Sequence, residues 1–150
     1  MLPCKMIRTR LAIEAPPEAI WRELMDFPSY PHWNPFLRSV CGEPIPGTRL
    51  SVRLCPPSSK PVPLQAEVLR VVPNQEFRWI CHWLFPGLVD LEHRIFLEAQ
   101  PPEITILHYR QTLRGLFAPC IWRFQRQSSR PGMEAMNQAL KQRVETAIWR

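Results

Sequence analysis

Proline sets the frame of this chain. Eighteen of its 150 residues are proline, more than twice the average usage of about 5%. They fall largely in punctuating pairs: Pro16-Pro17, Pro44 and Pro46, Pro56-Pro57, Pro61 and Pro63, Pro101-Pro102. Proline has no amide hydrogen and a fixed φ, which excludes it from helix interiors and central strands. Regular elements therefore belong in the proline-free windows between the pairs. Lys5 to Ala15 alternates, with Ile7, Thr9, Leu11 and Ile13 on one face, a strand signal. Thr48 to Cys55, Leu64 to Val72, Phe77 to Leu84 and Val89 to Glu98 alternate too, and Phe36 to Cys41 does so more weakly. Ile104 to Arg114 is rich in strand formers but has two plausible inner faces. Seven strand windows joined by short turns imply one antiparallel sheet with one wet face.

Helical spacing appears in three places. Pro17 suits the first position of a helix, and Ile20, Trp21, Leu24 and Met25 recur at helical spacing up to Asp26-Phe27-Pro28. Between Tyr30 and Phe36 two prolines limit any helix to about a turn. From Met133 the residues Met133, Met136, Asn137, Leu140, Val144, Ala147 and Ile148 form a stripe that needs an apolar sheet to cover it. Just before it, Phe117, Ile121 and Phe124 share one helical face and Arg123, Arg126 and Arg130 another. Pro131-Gly132 is expected to cut this basic piece from the main helix.

Composition narrows the class. With 45% apolar and 21% charged residues the chain has a globular balance, and residues 1–150 read as a single domain. Five scattered cysteines (Cys4, Cys41, Cys55, Cys81, Cys120) argue against a disulfide framework or a zinc site and for a reducing cytosol. The first residues lack the apolar core of a signal peptide, and the charge-free stretch Trp79 to Val89 is too short to span a bilayer. A cytoplasmic domain is expected. The net charge is +6, from 19 Lys and Arg against 13 acids, and sixteen of the cations are arginine. Between Glu103 and Glu134 there is no acid, only Arg110, Arg114, Arg123, Arg126 and Arg130.

Four motifs occur in a telling order: Ala15-Pro16-Pro17-Glu18-Ala19-Ile20-Trp21, Trp33-Asn34-Pro35-Phe36, Glu92-His93-Arg94-Ile95-Phe96-Leu97-Glu98, and Met136-Asn137-Gln138-Ala139-Leu140-Lys141. Together they resemble the SRPBCC superfamily, which includes START-like lipid-transfer domains, polyketide cyclases/dehydratases and relatives of the birch-pollen allergen. The likeness spans nearly the whole chain and is greatest to bacterial SRPBCC-domain proteins of unassigned function. It implies an α+β helix-grip fold: a seven-stranded curved antiparallel sheet around a long C-terminal helix, with two short helices after the first strand. It also implies that Thr105, Leu107, Tyr109, Gln111 and Leu113, counted back from Gly115, point inward. A three-residue turn at Gln100-Pro101-Pro102 would then set His93 opposite Tyr109. In similar proteins the position of Gln111 is often acidic, and its neutrality here weakens a general-base role.

A sheet wrapped on a helix implies a pocket for a hydrophobic small molecule, such as a lipid, isoprenoid or polyketide-like compound. Its candidate walls are Trp33, Phe36, Trp79, Trp83, Leu91, Ile95, Leu107, Met136 and Leu140, with His93, Tyr109 and Gln111 as polar groups. His93 and Tyr109 could orient a ligand carbonyl, or serve as acid and base in a cyclisation or dehydration; otherwise His93 is a core histidine satisfied by its neighbours. Phosphate loops, Gly-x-Ser-x-Gly and His-Glu-x-x-His are missing from the sequence. Ser58-Ser59 and Ser128-Ser129 read as loops, His32 as a surface turn and His82 as wet. No metal or cofactor is expected. Phe117, Ile121 and Phe124 are expected to form a lid over the pocket mouth, with transient contact to an anionic membrane through the nearby arginines. A basic protein- or nucleic-acid-interaction domain is the third reading. No basic stripe interleaves with exposed aromatics in the sequence, so no nucleic-acid partner is expected.

Overall fold

In the computed structural model, which describes residues 3–148, seven antiparallel strands form one sheet in the order β1-β7-β6-β5-β4-β3-β2. They are β1 (Cys4–Ile13), β2 (Leu37–Cys41), β3 (Arg49–Leu54), β4 (Val62–Val72), β5 (Glu76–Trp83), β6 (Val89–Gln100) and β7 (Ile104–Arg114). Helices α1 (Pro17–Met25) and α2 (Tyr30–Trp33) follow β1, joined by a short 3-10 helix, and the long helix α3 (Ala118–Ile148) follows β7. The architecture is α+β, with α3 lying against the concave face of the sheet.

Local chemistry explains the joints. Pro17 opens α1, where its missing N–H costs nothing. The Tyr30 hydroxyl donates to the Leu24 carbonyl (2.6 Å), tying α2 back to α1. Asn34 Oδ1 accepts from the amides of Phe36 and Leu37 (3.0 and 2.9 Å), a side-chain turn that ends α2 and launches β2. Thr9 Oγ1 donates to the Tyr109 carbonyl (3.0 Å) and accepts from Asn137 Nδ2 (2.9 Å), which pins α3 to β1 and β7. Along α3, Met133, Met136, Leu140 and Val144 are buried, each contributing roughly 1.5–3 kcal/mol.

Four expectations are corrected. First, Pro131-Gly132 does not separate two helices: α3 runs unbroken from Ala118 to Ile148 with Pro131 inside it. A mid-helix proline costs about 3 kcal/mol, and burial on both sides of it offsets that, since Ser129 and Met133 share the buried face. Gly132 is required there, because a Cβ would collide with the Phe36 ring. Phe117, Ile121 and Phe124 thus belong to the approach and first turns of α3 rather than to a separate lid. Second, Ser128-Ser129 lies in this helix, not in a loop. Third, the β6–β7 turn is Pro101-Pro102-Glu103, because Gln100 pairs with Ile104. Proline at 101 cannot donate to the ladder, so pairing runs on to Gln100. His93 therefore faces Gln111, and Tyr109 faces Ile95. A two-residue shift keeps every side chain on its face, and Thr105, Leu107, Tyr109, Gln111 and Leu113 are all buried. Fourth, the apolar stripe ends early, with Ala147 and Ile148 exposed beyond the sheet.

Candidate functional site: an apolar cavity beside a buried polar chain

The space between sheet and helix is filled unevenly. Toward its middle the indole of Trp79 lies flat on the imidazole of His93, with centroids 3.8 Å apart and planes at 7°. Phe36 and Tyr109 are close behind at 6.4 Å. Trp79, Phe36, Ile95, Leu107, Met136 and Leu140 are buried in this packed part and do not line the cavity beside it.

Toward the β5–β6 loop the filling stops. A cavity of about 320 Å³ opens there, near the lower end of the range for small-molecule sites. Leu54, Leu64, Cys81, Leu91 and Leu113 supply its sheet wall, and Ile121, Phe124, Gln125, Ser128 and Ser129 its helix wall. Trp83, Val62 and the Pro56–Ser59 loop frame the opening. The void arises where strand side chains shorten to Cys81, Leu91 and Leu113 while α3 offers Gln125 and Ser129 in place of another apolar pair.

Those two helix residues end a buried hydrogen-bond chain. Gln125 Nε2 donates to Ser129 Oγ (2.7 Å) and to Gln111 Oε1 (3.2 Å). Gln111 thereby turns its amide nitrogen to His93 Nε2 at 3.2 Å. An imidazole nitrogen receiving that N–H is the acceptor, so the proton sits on Nδ1 and is donated to the Tyr109 hydroxyl oxygen (2.7 Å). Burial holds His93 down to about 3, so the ring is neutral, and burial lifts Tyr109 well above its usual range. Burial and the nearby Asp90 push the Cys81 thiol up to about 12, so it stays a weak donor, here toward the Leu91 carbonyl at 3.6 Å. Such a site holds dipoles, not charges. It can present hydrogen-bonding groups to an apolar ligand at little desolvation cost.

The expected residues therefore separate into groups. Trp83, Leu91, Ile121 and Phe124 line the cavity. His93, Tyr109 and Gln111 lie one layer behind it, linked to it through Gln125. Trp83 does not continue the buried row of Trp79 and Cys81: it is 60% exposed at the end of β5, beyond the cover of α3. Phe117 is exposed at the rim. Trp33 lies elsewhere, in an open groove of about 630 Å³ between α1, α2 and α3. The Glu23–Arg143 ion pair (2.6 Å) crosses that groove, which suits solvent better than an apolar guest. Gln125 and Ser129 escaped the sequence reading, although Ile121, Gln125, Ser129 and Met133 fall on one face once the helix is continuous. His32 and His82 are exposed as expected, and His82 Nδ1 pairs with Asp90 (2.6 Å).

Around the opening the surface is strongly apolar. Leu84, Phe85, Leu116, Phe117 and Phe124 join Trp83 in full or substantial exposure. The two segments are tied together, since the amides of Leu116 and Phe117 donate to the carbonyls of Gly87 and Leu88 (2.9 and 3.1 Å). Leu84 adopts φ 67°, a conformation that L-residues with bulky side chains rarely hold. No helix among the described residues is long and apolar enough to cross a membrane.

No protein-family model matches the sequence, and no curated protein matches it. Solved structures do. A point mutant of norcoclaurine synthase from Thalictrum flavum, in complex with a transition-state analogue, superposes with a TM-score of 0.75 at 14% identity, covering 98% of each chain. A START superfamily protein from Mycobacterium smegmatis gives 0.71 at 18% identity, over 95% of this chain and 98% of the other. The di-domain aromatase/cyclase StfQ of the steffimycin biosynthetic pathway gives 0.77 at 11% identity, over 98% of this chain and 52% of that one. Strand order, helix placement and these superpositions agree: the chain has the helix-grip fold that these solved structures share.

Proposed function

We propose that this chain binds a compact hydrophobic molecule in the cavity between β3–β7 and α3. The observation that carries the reading is the void itself, apolar over most of its wall, with Gln125, Ser128 and Ser129 as polar groups on the helix side and Ser59 and His82 also on its lining. At about 320 Å³ it has room for roughly ten water volumes, enough for a ring system or a short isoprenoid or polyketide-like chain. One carbonyl or hydroxyl on that guest would meet Gln125 and Ser129. His93, Tyr109 and Gln111 would hold Gln125 in place from behind, acting as positioning residues. The five free thiols support a reducing, cytosolic setting.

A cyclase or dehydratase is the alternative. It asks His93 to take up a proton during turnover, whereas burial keeps its basicity far below the useful range. The Nδ1–H···Tyr109 arrangement also leaves the pair one layer away from the cavity. Both facts favour binding over acid–base chemistry.

The apolar rim adds a partner to this reading. Trp83, Phe85 and Phe124, with Arg123 and Arg126 exposed nearby, suit transient contact with an anionic membrane. Native mass spectrometry tests the main proposal. Protein mixed with a panel of fatty acids, isoprenoid alcohols and polycyclic aromatics is expected to show a one-to-one adduct, and absence of any adduct refutes it. Co-sedimentation with vesicles tests the rim. Equal binding to neutral and anionic vesicles at low salt rules out the electrostatic part.

A further inference from the structure

The convex face of the sheet carries an arrangement that no single strand displays. Pairing sets Arg70 beside Arg78, Arg78 beside Arg94, Arg94 beside Arg110, and Arg110 beside Arg8. Five arginines thus form one row across β4, β5, β6, β7 and β1. Neighbouring strands are only about 4.8 Å apart, and like charges directly opposite one another are unfavourable.

One carboxylate answers three of the five. Glu76 sits at 3.2 Å from Arg70, 2.7 Å from Arg78 and 2.6 Å from Arg94. Among the described residues no carboxylate lies within ion-pair distance of Arg110 or Arg8. Arg8 finds only the Met6 sulfur (3.0 Å), and Arg10, two residues along the same face, adds a further cation. The guanidinium groups of Arg94 and Arg110 both stand over the Phe96 ring, 4.2 and 4.8 Å from its centroid. His108 stacks on that ring at 4.3 Å. Two cations are therefore drawn to one platform, with a third beside them. Burial first, then the charges of Arg8 and Arg94, pull Arg110 below its usual range.

We propose that Arg8, Arg94 and Arg110 form a binding site for a tetrahedral oxyanion, a phosphate monoester group, on the face of the sheet opposite the cavity. A dianion seated there replaces repulsion between guanidinium groups with charge-assisted hydrogen bonds. The planar fork of arginine matches the edge of a phosphate group better than an ammonium does. Arg94 keeps its Nε on Glu76 and still has terminal amines to offer. The site stands whether or not the cavity binds a ligand.

The phosphate group has two possible carriers, a small soluble molecule or a lipid headgroup, and two arms of one experiment separate them. In the first, inorganic phosphate is titrated at constant ionic strength and followed by calorimetry. In the second, the protein is sedimented with phosphatidylcholine vesicles containing phosphatidic acid. Wild type and Arg53→Gln, a change on distant β3, are expected to bind saturably in at least one arm. Arg110→Gln and Arg8→Gln are expected to lose about tenfold or more in affinity there, with unchanged circular dichroism. Loss in the phosphate arm assigns a soluble ligand, and loss in the vesicle arm alone assigns a headgroup. No saturable binding in either arm, or equal binding by wild type and both variants, overturns the proposal.

Discussion

Two neighbouring parts of one interior obey different rules in this molecule. In the middle of the concave face, Trp79 stacks on His93, His93 is hydrogen-bonded to Tyr109, and Phe36 lies tilted against Tyr109, all four buried. Toward the β5–β6 loop, the same strands and the same helix leave a void. Strand alternation and helix period are the same in the two parts. The side chains that face each other are not. Gly132 lets the Phe36 ring reach the helix axis at the packed part, whereas at the hollow part Gln125 and Ser129 spend their atoms on each other and on Gln111. The packed part is filled by its own side chains and the hollow part is not.

The largest effect should separate the two tryptophans of β5. Trp79→Ala removes a buried indole and is expected to cost about 3–5 kcal/mol. Trp83→Ala, at the exposed rim, should cost less than about 1 kcal/mol, yet weaken ligand or vesicle binding. Denaturant unfolding of both variants gives the comparison, and similar losses would erase the distinction between the parts.

Acid tests the packed part through His93. Burial depresses His93 to about 3 in the folded chain, against about 6.5 in an unfolded one. Its contribution to stability is thus complete above pH 6.5 and declines as pH falls from there toward 3. At pH 5 the loss amounts to about 2 kcal/mol. For Glu76, burial acts upward but the hydrogen bonds and charges of Arg94 and Arg78 outweigh it and hold the carboxyl low. Its contribution fades only below the ordinary carboxylate range near pH ~4.3, so the window from 6.5 to 5 is free of it. Melting temperature measured across that window should slope downward in wild type and less steeply in His93→Gln, where the remaining slope comes from His108, also held by burial below its usual range.

How far such features can be read before folding depends on the range of the signal. Alternation is local, so the inward faces of β5 and β6 were readable from Phe77 and His93, whereas β7, with two plausible faces, needed the resemblance to place Tyr109. Register is not local, and Pro101 moved the pairing by two residues without disturbing either face. The end of a buried row is not local either. Trp83 alternates perfectly with Trp79 and Cys81, but whether α3 reaches over it depends on a helix thirty-five residues away in sequence. Pro131 misled for a related reason: its cost is intrinsic, while the burial of Ser129 and Met133 that offsets it is against a sheet distant in sequence. Reading a break there hid Gln125 and Ser129, the polar corner of the cavity. The arginine row of the convex face is the extreme case, since Arg8, Arg94 and Arg110 meet only through three strands' pairing.

The smallest change in stability should give the sharpest test of the hollow. Leu64 lies half-buried on the cavity wall at β4, with open space ahead of it. Leu64→Phe adds volume that the void can accept, so stability is expected to move by no more than about 0.5 kcal/mol. The same substitution in a close-packed region would cost about 1–3 kcal/mol through strain. Affinity for whichever panel compound forms the adduct should meanwhile fall by about tenfold or more, which is about 1.4 kcal/mol of binding free energy. A large loss of stability would mean that the hollow collapses in solution. An unchanged affinity would place the guest away from β4.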